Sequence, residues 1–254
     1  MTAARKGKLY LVPAPLDFGC TEEVPLPEVL PAATIERAAR LDCWICENAK
    51  STRAYLKRIH ALAPPSRTLQ EQQILELPRE VHKKGDHDGS LDARPWLAPA
   101  LAGRDVGLVC EAGMPAIADP GSSVVRVAHA LGLEVVALVG PVSLMLALAA
   151  SGLGGQHFAF QGYLPQAAAE RAPRIRELES LAIKTGQTQL FIETPYRNAA
   201  LMAALLSTLQ GSTRLAVCWG ITLASGRNQS ATVSDWRRNP VDIPGTPAVF
   251  ALGR

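Results

Sequence analysis

The fold prediction starts from Leu108-Val109-Cys110-Glu111-Ala112-Gly113-Met114-Pro115-Ala116-Ile117-Ala118-Asp119-Pro120-Gly121. The apolar run 106–110 is typical of a buried strand, and the small residues, Pro and Gly that follow it favour a loop. Ser122-Ser123 then offers caps for an apolar helix over residues 124–131, and Gly132 suits the position just past its end. Because open α/β sheets bind ligands outside the carboxyl ends of their strands, this loop is the predicted ligand site.

The same order of strand, loop and helix recurs directly downstream. Residues 134–139 predict a strand, Gly140–Ser143 a loop and residues 144–150 a helix. Upstream, residues 8–12 predict a first strand that ends in the Pro-rich loop 13–19. The other predicted strands are 42–46, 74–78, 157–165, 189–193, 214–219 and 247–252, with a stretch suited to strand pairing at 231–236. The other predicted helices are 34–40 (capped by Thr34), 49–59, 96–102, 170–183 and 198–209.

The regularity of this alternation changes along the chain. The first half alternates strands with helices, whereas the part after Gly154 mixes hairpin-like strands with helices. The economical interpretation is an α/β protein of two α/β domains, 1–142 and 143–254.

Composition limits the class of protein. The 254 residues are 48% hydrophobic with a formal net charge of +3, which permits a nucleic-acid partner without requiring one. No apolar run approaches the roughly 20 residues that cross a bilayer, and residues 1–8 lead directly into a strand, so we expect a soluble, cytoplasmic protein without membrane contact.

Cysteines and polar clusters offer weaker signals. Five scattered cysteines argue against a disulfide framework, and Cys43 and Cys46 have the spacing of a redox or zinc motif without the second pair that zinc needs. Segment 79–89 mixes His and Asp without a defensible ligand spacing, so an exposed polar loop is expected there, with substrate contacts as the alternative, and no metal is predicted. A basic face, either solvated or phosphate-binding, is predicted from Arg37, Arg40, Lys50, Arg53, Lys57 and Arg58.

Several motifs occur together, in order, along nearly the whole chain. They are Val12-Pro13-Ala14-Pro15, Glu111-Ala112-Gly113-Met114-Pro115 with Asp119-Pro120-Gly121, Gly140-Pro141 with Ala149-Ala150-Ser151-Gly152-Leu153, Phe158-Ala159-Phe160-Gln161-Gly162-Tyr163-Leu164-Pro165, and Phe191-Ile192-Glu193-Thr194-Pro195-Tyr196-Arg197. In this combination the chain resembles the S-adenosylmethionine-dependent methyltransferases of the tetrapyrrole methylase superfamily. It is most similar to the subfamily that methylates the ribose 2′-hydroxyl of a cytidine in 16S ribosomal RNA.

The resemblance implies a homodimer without a metal, in which S-adenosylmethionine lies folded in the cleft between the two domains and S-adenosylhomocysteine is the product. It places Pro13 near the cofactor and Glu111, Gly113 and Met114 around its methionine end and ribose. It also implies Val142 and Ser143 on a second loop, and Thr246 with Pro247 near the adenine. Independently, loops of Gly, Ala and Pro let backbone groups approach a ligand closely, and the Glu111 carboxylate can accept hydrogen bonds from it. The alternative is that Glu111 is a loop residue without a ligand.

Methyl transfer to a hydroxyl needs an in-line acceptor and a base for its proton. Glu47, Glu193 and Lys50 are the candidates for base or orienting group, because each is predicted at a strand end or in the following turn. All three are equally compatible with surface positions.

The departures from the subfamily concern polar positions. Its E-D-T-R is Glu47-Asn48-Ala49-Lys50 here, its R-E-L-T-K is Trp219-Gly220-Ile221-Thr222-Leu223, and its D-A-G-T is Glu111-Ala112-Gly113-Met114. The subfamily's G-N after its first motif is replaced by Asp17-Phe18-Gly19. Three functions therefore remain open: ribosomal RNA processing by ribose methylation on the small subunit, methylation of a tetrapyrrole or other small molecule, and cofactor binding without catalysis.

Overall fold

The computed structural model describes residues 5–78, 80–81, 86 and 91–254. These residues form two compact units. Unit 1 contains the described parts of Met1–Gly19 and Val24–Pro141, and unit 2 contains Cys20–Glu23 and Val142–Arg254. Within the described part of the chain, no helix has the length and apolar character needed to span a membrane.

Unit 1 is built on a five-stranded sheet in which every neighbouring pair is parallel, in the order β3-β2-β4-β1-β5. The strands are β1 Lys8–Leu11, β2 Cys43–Cys46, β3 Gln73–Glu76, β4 Val106–Val109 and β5 Glu134–Ala137. The helices are α1 Leu26–Val29, α2 Ala32–Arg40, α3 Ala49–His60, α4 Ala98–Leu101 (preceded by a 3₁₀ helix, Arg94–Leu97) and α5 Ser122–Ala130.

Side chains alternate between the two faces of this sheet, as strand geometry requires. Tyr10 of β1 and Trp44 of β2 are buried in a core with α2 and α3. Leu9 of β1 and Ile45 of β2 are buried in a separate core with α4 and α5. Helix α2, which follows β1, and helix α5, which follows β4, therefore cover opposite faces. Since β1 and β4 are adjacent, their carboxyl ends form the topological switch point at which such sheets bind ligands.

Two predicted helix caps are wrong. Thr34 does not cap α2, which begins earlier, after Pro31; its buried hydroxyl instead donates a hydrogen bond to the Val139 carbonyl at 2.8 Å. Ser122 and Ser123 do not precede α5 but form its first turn, after the N-cap Gly121. The prediction for Gly132 is confirmed: it adopts φ +64° just past the C-cap of α5.

Unit 2 contains a mixed sheet in the order β6-β7-β10-β8-β9, in which only the β6–β7 pair is parallel. Its strands are β6 Phe158–Tyr163, β7 Thr188–Glu193, β8 Arg214–Trp219, β9 Arg227–Thr232 and β10 Ala248–Gly253. Its helices are α6 Ser143–Ser151, α7 Ala168–Thr185, α8 Asn198–Thr208 and α9 Val233–Arg238, with a 3₁₀ helix at Pro195–Arg197.

The sheet of unit 2 is also covered on both faces. Helices α7, α8 and α9 contribute to one core, in which Phe191 and Phe250 stack with ring centroids 5.7 Å apart. Helix α6 packs on the other face with residues of β7, β8 and β10. The predicted pairing stretch 231–236 is largely wrong, because residues from Val233 onward form α9, where Thr232 caps the helix by accepting from the Asp235 amide.

Candidate functional site

The loop after β4, residues 110–121, is shaped by an unusual number of left-handed backbone conformations. Gly113 and Gly121 have φ of +69° and +134°, and Ala116 and Ala118 have φ of +65° and +66°. An alanine in this region costs roughly 1–2 kcal/mol, so the surrounding structure must hold the loop in place. This strained loop lies at the switch point of the unit 1 sheet.

The loop after β1 is joined to it by backbone hydrogen bonds. Ala14 and Gly113 exchange two N–H···O=C bonds of 2.9 and 3.1 Å, directly beyond the ends of β1 and β4. The hydroxyl of buried Tyr55, on α3, donates to the Pro13 carbonyl at 2.8 Å. Gly140, after β5, packs so closely on Pro13 that a Cβ at position 140 would lie 2.3 Å from the Pro13 ring. The structure thus brings the predicted residues Pro13 and Gly113 together.

A cluster of carboxylates is associated with this loop. The Glu111 amide donates to Glu47 Oε2 at 3.4 Å, and Glu111 Oε1 accepts from the Ser51 hydroxyl of α3 at 3.2 Å. Glu47 and Glu111 are both half-buried and come from the carboxyl ends of neighbouring strands, β2 and β4. Asp119, at the far end of the loop, interacts electrostatically with both. Two predicted residues, Glu47 and Glu111, therefore belong to one site.

Asp119 is the third member of the cluster, and the sequence analysis did not select it. Burial, followed by the negative charges of Glu47 and Glu111, raises the pKa of its carboxyl to about 7. Burial likewise raises the pKa of the Cys110 thiol well above its usual range, with Asp119 adding to the effect. The protonated form of Asp119 is therefore favoured at higher pH than that of an exposed aspartate.

Asp86 is a second residue that the sequence analysis missed. Its buried carboxylate accepts from the amides of Gly121 at 3.1 Å and Ser123 at 2.6 Å, and from the Ser123 hydroxyl; its carbonyl accepts from the Ser122 hydroxyl. A carboxylate at a helix N-terminus accepts hydrogen bonds from amides that have no partner within the helix. Its negative charge also interacts favourably with the positive end of the helix dipole. Asp86 therefore fixes the end of the loop to α5.

Lys50 is placed differently from the carboxylates. Its amide donates to the Asn48 side chain, which caps α3, and its own side chain is exposed. The predicted basic face stays a prediction: Arg40, Lys50, Arg53 and Lys57 are exposed, whereas Arg37 and Arg58 are partly buried and have partners. Arg58 forms a partly buried ion pair with Asp17 at 3.0 Å, and the Arg37 guanidinium lies over the Tyr10 ring, 5.1 Å from its centroid.

Glu193, in unit 2, ends β7 and is buried. Its Oε1 accepts from Arg197 Nη2 at 2.6 Å, from Arg197 Nε at 2.9 Å and from the Thr194 amide at 2.7 Å. These contacts hold the turn into α8 and favour a positioning role for this carboxylate. All three contacts are made by one carboxylate oxygen, Oε1.

Val142, Ser143, Thr246 and Pro247 also lie in unit 2, whereas the predicted residue Met114 lies on the loop 110–121 of unit 1. Val142 is the N-cap of α6 and Ser143 its first residue. The Thr246 carbonyl accepts from Asn198 Nδ2 at 2.8 Å, and the Pro247 carbonyl accepts from the Gly220 amide at 3.1 Å. Thr246 Oγ1 and Asn198 Oδ1 are buried without a hydrogen-bond partner among the described residues. Such atoms are suited to a ligand group or a water.

The segment 219–223, which departs from the subfamily motif, has defined structure. Trp219 is buried at the end of β8, and Thr222 adopts φ +75°, a strained conformation for a β-branched residue. Glu22 holds the residues that follow: its carboxylate accepts from the Ala224 amide at 2.6 Å and from the Ser225 hydroxyl at 2.8 Å. The segment thus has a defined backbone shape, although it lacks the charges of the subfamily motif.

The polar segment 79–89 lies outside the described residues except for Glu80, Val81 and Asp86. Within the described part of the chain, no group of three His, Cys, Asp or Glu side chains is arranged to hold a metal ion. None of the five cysteines forms a disulfide within the described residues; Cys43, Cys46, Cys110 and Cys218 are buried, whereas Cys20 is only partly buried.

The parallel sheet with its switch-point loop and the second, mixed α/β unit define an α/β protein of two compact units with a candidate ligand-binding loop in unit 1. The family is then given by sequence comparison: residues 26–235 match the model of the Tetrapyrrole (Corrin/Porphyrin) Methylases. The chain belongs to this family, whose methyl donor is S-adenosylmethionine.

Several relatives from different organisms carry one common name. "Ribosomal RNA small subunit methyltransferase I" of Mesorhizobium japonicum is 30% identical over 210 residues, covering 82% of this chain and 62% of that protein. The protein of the same name from Synechocystis sp. is 29% identical over 216 residues, covering 85% and 67%. That from Pseudomonas aeruginosa is 34% identical over 129 residues, covering 51% and 44%. Matches with the first relatives thus span 44–62% of those proteins' own length.

A solved structure shares the fold. Uroporphyrin III C-methyl transferase from Thermus thermophilus aligns with a TM-score of 0.51 over 98% of both chains at 18% sequence identity. The α/β fold class predicted from the sequence is therefore confirmed.

Proposed function

We propose that this chain is a methyltransferase that transfers a methyl group from S-adenosylmethionine to RNA, with a ribose 2′-hydroxyl of small-subunit ribosomal RNA as the acceptor. Family membership supports the donor, and the relatives named as ribosomal RNA methyltransferases support the acceptor. The observation that carries the proposal is the half-buried Glu111 carboxylate on the strained loop at the switch point of unit 1.

The residues of this loop fit the cofactor. Gly113 has φ +69° and packs closely on Leu16, since a Cβ at position 113 would lie 3.2 Å from the Leu16 side chain, and the backbone of the loop carries no side chain at this position. Glu111 supplies a carboxylate that can accept from ribose hydroxyls or an ammonium group, and the loops of Pro13 and Gly140 pack beside it. When bound, S-adenosylmethionine supplies an electrophilic methyl group. The contributions of Met114, Val142, Ser143, Thr246 and Pro247 to its binding remain predictions.

The chain's own groups must orient the acceptor and take its proton. Glu47 is the candidate base, because it follows β2 directly and its Oε2 accepts from the Glu111 amide at 3.4 Å, which places its carboxylate beside the proposed cofactor loop. Lys50, exposed on the first turn of α3, is placed to contact the phosphate backbone of an acceptor. Glu193 is proposed as a positioning residue that acts through Arg197.

Two further features bear on the acceptor. Asn48, which replaces an aspartate of the subfamily, retains a structural role because its side chain caps α3 through the amides of Lys50 and Ser51. The loss of charge at residues 219–223 instead favours the second candidate, a small-molecule acceptor, because Trp219 and Leu223 are buried where the subfamily has charges. A soluble, cytoplasmic homodimer is part of the first proposal, and the homodimer is what the family resemblance implies.

The first test is calorimetric titration of S-adenosylmethionine and S-adenosylhomocysteine into the wild type, Glu111→Ala and the control Glu36→Ala, which removes an exposed carboxylate of α2. We expect micromolar binding that Glu111→Ala weakens about tenfold or more, the effect of losing a charge-assisted hydrogen bond, and that Glu36→Ala leaves unchanged. No heat with either ligand, or equal affinity in all three proteins, would exclude the loop as the cofactor site.

The acceptor is tested by transfer of radiolabelled methyl groups to 30S subunits, to naked ribosomal RNA and to a metabolite extract. Label at a ribose 2′-oxygen supports the RNA proposal, and Glu47→Gln should then lower the rate by about a hundredfold or more while cofactor binding is retained. Label only in the extract favours the small-molecule candidate. Cofactor binding without transfer to any acceptor would contradict both and leave a cofactor-binding protein.

A further inference from the structure

We propose that unit 1 carries a second binding site, for a phosphate group, at the amino-terminal edge of its sheet. A groove of about 410 Å³ opens there. Its ionisable lining side chains are Arg5, Lys6, Arg40, Asp42, Arg104 and Asp105. Asp42 and Asp105 immediately precede β2 and β4, and Lys6 lies two residues before β1, so the groove lies at the opposite edge of the sheet from Glu111 and the switch-point loop.

The two carboxylates in the groove are already occupied. Asp42 accepts from Arg104 Nη2 at 2.9 Å and from Arg67 Nε at 2.8 Å, and Asp105 accepts from the Lys8 amide at 2.9 Å. Asp42 pairs with two guanidinium groups, so one negative charge is set against two positive charges. The ion pairs therefore fix Arg104 in the wall of the groove but do not neutralise its positive charge. Arg104 is further oriented by its hydrogen bond to Gln73 Oε1 at 2.9 Å.

Arg5 and Arg40 supply the free positive charge. Both are exposed, and no ion pair joins either of them to a carboxylate within residues 5–78, 80–81, 86 and 91–254. Lys6 Nζ is held by the Leu131 carbonyl at 2.7 Å, which keeps its charge beside the groove. Four cationic side chains and two carboxylates thus line the groove, and the excess positive charge lies on guanidinium groups.

This arrangement favours phosphate over other ligands. Planar guanidinium forks match the oxygens of a phosphate group in bidentate geometry, and a concave surface of one sign concentrates counter-ions. The phosphate can come from an RNA backbone or from a free phosphate compound, and both offer the same oxygens. The inference does not depend on the proposed methyl transfer, because the groove and the switch-point loop lie at opposite edges.

The test uses the full chain, inorganic phosphate and a single-stranded oligouridine as probes. The variant Arg5→Gln/Arg40→Gln is compared with Arg126→Gln/Arg214→Gln, which removes two exposed arginines elsewhere and gives the same net charge. We expect saturable phosphate binding, measured by calorimetry at constant ionic strength, that the first variant weakens about tenfold and the second leaves unchanged. Equal behaviour of the two variants, or no saturable binding by the wild type, would overturn the proposal.

The oligouridine identifies the source of the phosphate. If the groove binds RNA, phosphate competes with oligouridine, and the slope of log affinity against log salt falls by about 1.4 in Arg5→Gln/Arg40→Gln, as expected for two lost single-strand contacts. If Arg5→Gln/Arg40→Gln loses phosphate binding but binds oligouridine like the wild type, the phosphate site is supported and its ligand is a free phosphate compound. Neither readout involves S-adenosylmethionine, so failure of the methyltransferase assays leaves the result interpretable.

Discussion

At the scale of single residues, the candidate site is defined by negative charges held close together. Glu47, Glu111 and Asp119 come together around the loop after β4. Burial, followed by the negative charges of Glu47 and Glu111, raises the pKa of Asp119 to about 7 from 3.8. An elevated pKa in a loop at a switch point is typical of functional rather than structural carboxylates.

Asp119 gives the first prediction. Because its carboxyl binds a proton more tightly in the folded than in the unfolded chain, the free energy of unfolding decreases as pH rises from about 4 to about 7. Asp119→Asn keeps the shape and removes the charge. We expect it to be more stable than the wild type by about 1–2 kcal/mol at pH 8, a value reduced for partial solvent exposure, and equally stable below pH 4.

Urea denaturation across this pH range measures the difference. Asp242→Asn, an exposed aspartate of unit 2, is the control, and its stability should follow the wild type at every pH. A constant difference between Asp119→Asn and the wild type from pH 4 to pH 8 would show that charge at this position does not control stability.

Tyr55 gives the second prediction. Its hydroxyl is the link between α3 and the Pro13 carbonyl, and both groups are buried. Tyr55→Phe leaves that carbonyl without its donor, so the free energy of unfolding should fall by about 1–2 kcal/mol. S-adenosylmethionine affinity should also fall, since the loop after β1 is less well fixed. Tyr196→Phe, at a nearly fully exposed tyrosine, should change neither quantity; unchanged affinity in Tyr55→Phe would exclude the loop after β1 from binding.

At the scale of elements, the strained loop depends on the helix that follows it. Helix α5 lacks a side-chain cap from its own N-cap residue, Gly121, and obtains one from Asp86. Asp86→Ala removes the acceptor for two amides and a hydroxyl, and we expect it to lower the free energy of unfolding by about 2–3 kcal/mol. Asp86→Asn keeps one acceptor oxygen and should lose about half as much.

Urea denaturation and amide hydrogen exchange of α5 measure this effect. Asp92→Ala, at an exposed aspartate whose side chain contacts only Arg94 among the described residues, is the control and should leave both readings unchanged. Faster exchange in α5 specifically is expected for Asp86→Ala. Loss of stability without faster exchange in α5 would contradict a capping role.

The elements themselves were predictable from sequence to a large extent, because alternation and 3.6-residue periodicity are local signals. The strand at Val106–Val109 and the left-handed Gly132 are examples. The caps were not predictable, since Asp86 lies 35 residues before Gly121 and no local pattern joins them. Glu111 could be selected from its place after a strand, whereas the pKa of Asp119 depends on charges from β2 and from its own loop, which only the fold brings together.

At the scale of the whole molecule, the chain leaves unit 1 twice. Residues Cys20–Glu23 group with unit 2, although the chain on either side of them belongs to unit 1. The change of pattern near Gly154 indicates a second domain, but nothing in residues 20–23 marks them as part of it. The contact that attaches them is the Glu22 carboxylate on the amides of residues 224 and 225.

Glu22 gives the final prediction. Its hydrogen bonds with Ser225 and Ala224 lower the pKa of its carboxyl, so they stabilise the loop at pH values above the ordinary 4.5 and are lost as the pH falls through the lowered value. Glu22→Gln should therefore increase hydrogen exchange of the amides of Ala224 and Ser225 at pH 7, while the neighbouring exposed Glu23→Gln should not. If both variants exchange like the wild type, the segment 20–23 is not held through Glu22. If exchange increases and methyl transfer falls with it, the loop after β8, which has lost the charges of the subfamily motif, still contributes to activity through its shape.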